Sequence, residues 1–367
     1  MRKVGIVTFH RADNFGAVLQ NFALQTAIKK LNVYPETIDY RCPRIEEVYK
    51  PISGFLTRHP MKMLREKYWE FMNLKASIES RKAFCEFRKE YLNISEKSYN
   101  FKNIGCADYD LYIAGSDQIW NNTIIDKQDY RAFTLSFTNK KKITYGASCG
   151  SNKCMIDAIE EISKIDHITV RETELGNLLS QNGIGSSLVC DPVFLLEGDE
   201  WRHVVRDILP YPRKYVYLYY VESAKHETVE IATYMAKELS DEVLFSKKVD
   251  AESEREHYGI SLFSDGPLDF VSRILHADYV VVSSFHGVAF SLLLEKEFAV
   301  VLHKQTGDRV RTLLEKCNLE NRIVENIDDF KEKRKSWTPI NYDEIKKTIA
   351  QWRLESMSRL TELCSGD

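Results

Sequence analysis

The clearest chemistry in this chain lies near its C-terminal end. An apolar run, Tyr279–Val282, breaks into Ser283-Ser284-Phe285-His286-Gly287 and resumes over residues 288–294. β-Branched residues, a small polar turn and then helical spacing read as a buried strand feeding a helix. In an open α/β sheet that junction lies at the carboxyl end of a strand, where such folds bind ligands. The helix start adds backbone N–H groups and a positive dipole end suited to an anion. His286 placed there can donate a proton beside a bound phosphate, with Ser284 and Gly287 offering further contacts. The plainer alternative is a histidine that caps the helix.

Other strand ends carry polar groups that a pure scaffold does not require. His10-Arg11-Ala12-Asp13-Asn14-Phe15-Gly16-Ala17 follows the first strand, where Asn14 and Gly16 could contact phosphate or sugar. The loop lacks G-x-G-x-x-G spacing, which argues against a nicotinamide or flavin site. Asn14 as a helix N-cap, with Gly16 easing the turn, is the competing reading and is compatible with the first. Gly115-Ser116-Asp117-Gln118-Ile119-Trp120-Asn121 is dense in hydrogen-bonding groups. Trp120 against a sugar ring, with Asp117, Gln118 and Asn121 reaching hydroxyls and Ser116 as a further substrate contact, is the usual chemistry of carbohydrate recognition. Burial of Trp120 as a core anchor is the alternative. Arg171, in Val170-Arg171-Glu172, could bind a carboxylate or phosphate bidentately, or pair with Glu172 or Glu174.

The elements that must hold these loops alternate between strand and helix. Residues 3–9, 17–31 and 37–40 form a β-α-β opening, and strand-loop-helix units resume at 111–114, 142–147, 167–170 and 188–189. A polar stretch with Pro210 and Pro212 is the best linker candidate. A second alternating set follows from residue 215, and residues 342–363 form a terminal amphipathic helix. The expected fold class is therefore α/β, with two Rossmann-like domains facing one another across a cleft. The expected domains are 1–197, 198–330 carrying the His286 loop, and a helical tail over 331–367. The first includes a basic helical insertion at about 41–100 and serves the acceptor side.

Within that insertion, residues 41–90 hold twelve Lys/Arg against seven Glu, with Tyr68, Trp69, Phe71, Met72, Phe84 and Phe87 interleaved. Core-packing helices with a solvated basic face explain this pattern; a docking surface for a lipid phosphate or anionic glycan explains it too. The formal net charge of -3 argues against a nucleic-acid partner. Eight scattered cysteines without CxxC spacing argue against a zinc site and for reduced thiols in the cytoplasm. No stretch reads as a signal peptide or membrane span, so any membrane association is expected to be peripheral, at the inner face.

Taken in order, these motifs resemble the polysaccharide pyruvyl transferase family. The shared pieces begin with Thr8-Phe9-His10 and Asn14-Phe15-Gly16-Ala17-Val18-Leu19-Gln20, followed by Ala114 through Asn121. Tyr145-Gly146-Ala147-Ser148, Val170-Arg171-Glu172, Cys190-Asp191-Pro192-Val193-Phe194-Leu195-Leu196 and Ser284-Phe285-His286-Gly287 complete the series. The resemblance implies a fold similar to the glycosyltransferase-B type. It implies transfer of pyruvate from phosphoenolpyruvate onto two hydroxyls of a sugar, in a polysaccharide or its lipid-linked precursor, forming a cyclic ketal. No cofactor is implied. His286 carries over as the general acid and Arg171 as a donor-anion ligand. Some members have an arginine two residues before the histidine, where this chain has Ser284. The phosphate contact would then come from Arg171, Lys304, Arg309 or Arg311.

The chemistry suits the residues. Protonating the methylene of an enol phosphate requires an acid still charged near neutral pH, and histidine is the side chain whose ordinary pKa lies closest to that range. Asp117 is the expected acceptor of a hydroxyl proton, from its residue type and loop position. Two other readings share the architecture: a nucleotide-sugar-dependent glycosyltransferase, and a non-catalytic glycan-binding protein.

Overall fold

The structure, a computed structural model, describes residues 2–50, 60–150, 154, 156–250, 253, 256–302 and 307–365. The chain divides into two compact units. One comprises residues 1–48, 87–196 and 346–367; the other comprises 49–86 and 197–345. The division at Leu196 and Glu197 falls ahead of Pro210 and Pro212; a helix, Gly198–Val204, lies between.

The first unit is built on a parallel sheet of β1 (Lys3–Val7), β2 (Tyr34–Tyr40), β3 (Ile94–Tyr99), β4 (Leu111–Ala114) and β5 (Lys142–Thr144), in the order β3-β2-β1-β4-β5. Val4, Ile6, Val7, Leu111 and Ile113 are fully buried. Such unbroken apolar runs belong to parallel strands covered on both faces. Two short strands, β6 (Thr169–Val170) and β7 (Ser187–Leu188), adjoin β5 through bridges at Ile143–His167 and Ala147–Val170. The expected insertion is shorter than 41–100, because β3 lies inside that range and closes the sheet edge. Residues 49–86 also group with the second unit rather than the first.

The second unit repeats the plan. Its strands are β8 (Tyr215–Tyr219), β9 (Glu242–Phe245), β10 (Ile260–Ser261), β11 (Tyr279–Val282), β12 (Phe298–Val301) and β13 (Ile323–Val324). They run parallel in the order β10-β9-β8-β11-β12-β13. Both sheets thus reverse direction beside their first strand, between β1 and β4 and between β8 and β11. In doubly wound sheets this switch point is where ligands lodge, outside the carboxyl ends of the strands.

The expected separate tail does not form. The last helix, Tyr342–Ser365, rejoins the first unit over most of its length. Arg353 Nε donates to the Phe194 carbonyl at 2.7 Å, Cys190 N donates to Ser356 Oγ at 2.9 Å, and Arg2 Nη1 donates to the Cys364 carbonyl at 2.7 Å.

Candidate active site

The sequence-predicted residues divide between the two switch points. In the second unit, β11 delivers Ser283 and Ser284 to the sheet edge, and the helix Phe285–Leu293 starts at once. Ser284 is its N-cap: its backbone is extended and its Oγ accepts from Gly287 N at 3.0 Å. The cap role weighed for His286 therefore belongs to Ser284. Ser283 Oγ accepts from Val221 N at 2.7 Å, which stitches this turn to the end of β8. Gly287 is a packing requirement. A Cβ there would come within 2.8 Å of Val282 Cγ1 and 2.9 Å of Ser284 Oγ. Its N–H is committed to the cap, so the expected ligand contacts of Ser284 and Gly287 give way to a structural pairing.

His286 is the second residue of that helix and is half-buried, with its ring edge-on to Phe285 at 5.3 Å between centroids. The Arg309 guanidinium lies 5.8 Å from the Phe285 ring centroid. Next along the same edge, Lys247 Nζ stands 5.5 Å from the Tyr219 ring and 5.8 Å from that of Tyr220, at the end of β8. Lys225 is buried and pairs with Asp250 Oδ2 at 2.6 Å. Burial lowers the Lys248 pKa, against the pull of Glu70. His286, Arg309 and Lys247 therefore lie along one strand-end edge with a helix N-terminus, while Lys225 is matched by Asp250. That is the electrostatics of an anion site. Lys304 lies outside the described residues.

In the first unit, Asn14 caps the helix Phe15–Lys29, its Oδ1 accepting from Ala17 N at 3.2 Å, and Gly16 is buried within the first turn. The loop before it is locked by charge. His10 is fully buried, with Nε2 3.1 Å from Asp39 Oδ1. Arg11 donates to both oxygens of Asp39 at 2.7 and 2.6 Å, and Ser98 Oγ donates to Oδ2 at 2.6 Å. Burial pushes Asp39 up, but the bonds from His10, Ser98 and Arg11 outweigh it and hold the carboxyl well below the usual range. Burial in turn lowers His10. Arg88 Nη2 fixes Asp13 at 2.6 Å.

Across the switch point, Thr8 Oγ1 donates to the Ser116 carbonyl at 3.1 Å. Asp117 adopts a positive φ of 78°, unusual for a residue with a side chain, and pairs with Ala147 in an isolated bridge. Such strained positions cluster at functional sites. Gln118 Oε1 accepts from Asn121 Nδ2 at 2.8 Å. Two expectations are corrected here. Trp120 is fully buried and donates from Nε1 to the Phe133 carbonyl at 3.0 Å, so it anchors the core and offers no face to a sugar. The Arg171 side chain is also fully enclosed: it binds Asp191, donates to Ser116 Oγ at 3.3 Å and to Asp117 Oδ1 at 3.4 Å, and stands 3.8 Å from Glu172. Burial opposes its charge, and Asp191, Asp117 and Glu172 together outweigh that and raise its pKa. A guanidinium so surrounded by carboxylates positions Asp117 rather than gripping a donor anion.

Asp191 and Asp39 were not singled out as site residues from the sequence. Asp191 stood within a quoted motif, before a proline; Asp39 carried no signal beyond its place at a strand end. Among the described residues no group of three or more His, Cys, Asp or Glu side chains is arranged to hold a metal ion, and no helix is long and apolar enough to cross a membrane.

Solved structures of similar fold include a UDP-N-acetylglucosamine 2-epimerase, at TM-score 0.53 and 10% identity over 99% of this chain and 95% of that one. Another is a putative UDP-N-acetylglucosamine 2-epimerase from Listeria monocytogenes, at TM-score 0.50 and 10% identity over 98% and 91%. At that identity the likeness is one of fold, and it places the chain among two-domain α/β structures of the glycosyltransferase-B-like kind. No curated protein matches the chain. A family model described as polysaccharide pyruvyl transferase matches residues 14–305, which begin after β1 and take in the second switch point and every motif from Asn14 to Gly287. The chain therefore belongs to the polysaccharide pyruvyl transferase family, a family of transferase enzymes.

Proposed function

We infer that this chain transfers the pyruvyl group of phosphoenolpyruvate to two hydroxyls of one sugar in a polysaccharide or its lipid-linked precursor. The observation that carries this reading is the second unit's switch point. There His286 stands at a helix start whose cap is already supplied by Ser284, on an edge that also carries Arg309 and Lys247. A proton donor beside an anion site is what an enol phosphate needs.

His286 protonates the terminal methylene, and positive charge builds on the adjacent carbon. A sugar hydroxyl oxygen bonds to that carbon, the carbon–oxygen bond to phosphate breaks, and phosphate leaves with its oxygen. The second hydroxyl then closes the cyclic ketal. One hydroxyl proton replaces the proton delivered to the methylene, and the other departs with phosphate. On the first unit, Asp117 is the carboxylate assigned to accept an acceptor proton, oriented by Arg171 at 3.4 Å. Positioned general acids contribute about 10²–10⁴-fold to rate.

The test is single-turnover phosphate release against pH for wild type and His286→Gln at saturating phosphoenolpyruvate. Glutamine keeps a hydrogen-bond donor, so donor binding should persist. Turnover should fall about 10²–10⁴-fold, with the alkaline limb of the profile lost. Near-wild-type turnover in the variant would remove His286 from the mechanism. A thermal shift produced by nucleotide sugars and not by phosphoenolpyruvate would replace the donor.

A further inference from the structure

We propose that the helix Pro60–Met72 docks the protein in the plane of an anionic lipid surface. The observation is an apolar stripe left uncovered on an otherwise anchored element. Leu64 is 67% exposed, Tyr68 51%, Phe71 74% and Met72 52%, and Ile78 on the next helix adds 53%. At 3.6 residues per turn, Leu64, Tyr68, Phe71 and Met72 share an arc of about 100°. The other exposed large apolar residues, such as Leu209 and Leu354, are scattered along the chain. Contiguous apolar patches of this kind mark interaction surfaces.

The charges around the stripe identify the occupant. By the same helical geometry Arg65 borders it on one side and Lys67, which pairs with Glu70 at 2.7 Å, on the other, while Glu66 falls on the opposite face. Lys75 and Lys82, both exposed, bracket Ile78 along the next helix, 3.8 and 3.7 Å from Glu79 and Glu86. Residues 41–90 carry an excess of five positive charges in a chain of net charge -3, so the rest of the chain carries -8. An in-plane helix at a bilayer needs this pattern, with aromatic and aliphatic side chains entering the interface and Lys/Arg reaching anionic headgroups.

The helix is also held firmly enough to present the stripe. Asn73 donates to the carbonyls of Trp69 at 2.8 Å and Val249 at 2.7 Å, and its Oδ1 accepts from Val249 N at 2.9 Å. On the following helix, Leu74–Tyr91, Ala83 packs so closely on Gly266 that a Cβ there would come within 2.8 Å. The stripe thus stands on the far side of an element tied into the second unit.

The experiment is flotation of the full chain with vesicles of phosphatidylcholine alone and of phosphatidylcholine mixed with phosphatidylglycerol, at low and high salt. Wild type should float with the mixed vesicles, and binding should weaken as salt shortens the screening length from about 10 Å at 0.1 M to about 3 Å at 1 M. Leu64→Glu with Phe71→Glu should lower the bound fraction at least tenfold, and Arg65→Glu with Lys75→Glu several-fold. All four positions are exposed, so the melting temperature should hold. Wild type that ignores mixed vesicles, or Leu64→Glu/Phe71→Glu protein that still binds them, overturns the proposal. So does a wild-type dimer that the same pair converts to monomer without any lipid binding, since a second copy then covers the stripe. Phosphate release with a water-soluble acceptor is read separately, so failure of lipid docking and failure of the donor chemistry are distinguishable.

Discussion

The buried pair of Arg171 and Asp191 offers the sharpest test of how the first unit is held. Both side chains are completely enclosed. The other carboxylates near the guanidinium, Asp117 and Glu172, stand at 3.4 and 3.8 Å. Asp191→Asn keeps a carbonyl that can still accept from Val193 N, now at 3.1 Å, but it removes the nearest countercharge. Removing one partner of a buried ion pair costs about 3–5 kcal/mol. At roughly 2–4 °C per kcal/mol for a unit of about 180 residues, the first unit's transition should fall by about 6–20 °C. Calorimetry at neutral pH reads this directly. Arg171→Met should cost a similar amount. The double variant should lose less than the two singles together, because neither member of the closest buried pair is left facing the other's absence. The reasoning is refuted if both singles leave the transition within about 2 °C while phosphoenolpyruvate affinity collapses. Arg171 would then be a donor ligand after all.

Three further outcomes follow from the same geometry. Trp120→Phe should lower stability through a lost hydrogen bond and a cavity, by about 1–3 kcal/mol, and leave the acceptor KM unchanged; a large rise in KM would restore a stacking role. Ser284→Ala should cost about 1 kcal/mol, and Ser284→Gly only a few tenths, in urea unfolding, because the Oγ caps the helix; equal losses would deny the cap. His10 is lowered by burial, so as the pH falls the unfolded chain takes up its proton first. Its contribution is complete above about pH 6.5 and is lost as the pH drops from there toward the folded value. Unfolding free energy measured between about pH 7 and 5 should fall in wild type and fall less in His10→Gln. Parallel slopes would place the acid sensitivity elsewhere.

Much of the scaffold was legible because a parallel strand buried on both faces writes itself as a short apolar run. Val4 to Val7, Leu111–Ala114 and Tyr279–Val282 are such runs, and each breaks into small polar residues where its loop begins. β3 was hidden by its polarity. Ile94–Tyr99 is an edge strand with three exposed positions, so its sequence blends into the basic helical stretch before it. The units' interleaving was illegible for another reason: neither residues 49–86 nor 346–367 carry any local mark of the body they join. At the site, residue type located the loops but not the partners. Trp120 has the same composition signal whether it faces a sugar or the Phe133 carbonyl. Arg171 chooses between an anion and a carboxylate only once Asp191, twenty positions later, is brought against it. Ser284, notable as a missing arginine, is explained by the cap it provides.

The return of the last helix to the first unit bears on how the protein is made. Ser356 and Arg353 satisfy the backbone at Cys190 and Phe194, and Trp352 covers Phe194 at 6.0 Å between ring centroids. A ribosome releases these residues only after every residue of the second unit has been synthesised. The nascent first unit must therefore wait with Phe194 and its neighbours uncovered while the second folds. That is an interval of exposed apolar surface of the kind chaperones recognise. A circular permutant that places residues 346–367 ahead of Arg2 would shorten that wait, while cutting the helix Tyr342–Ser365 in its first turn. It should give a higher soluble yield from rapid synthesis than the natural order, even with equilibrium stability lowered by the cut helix.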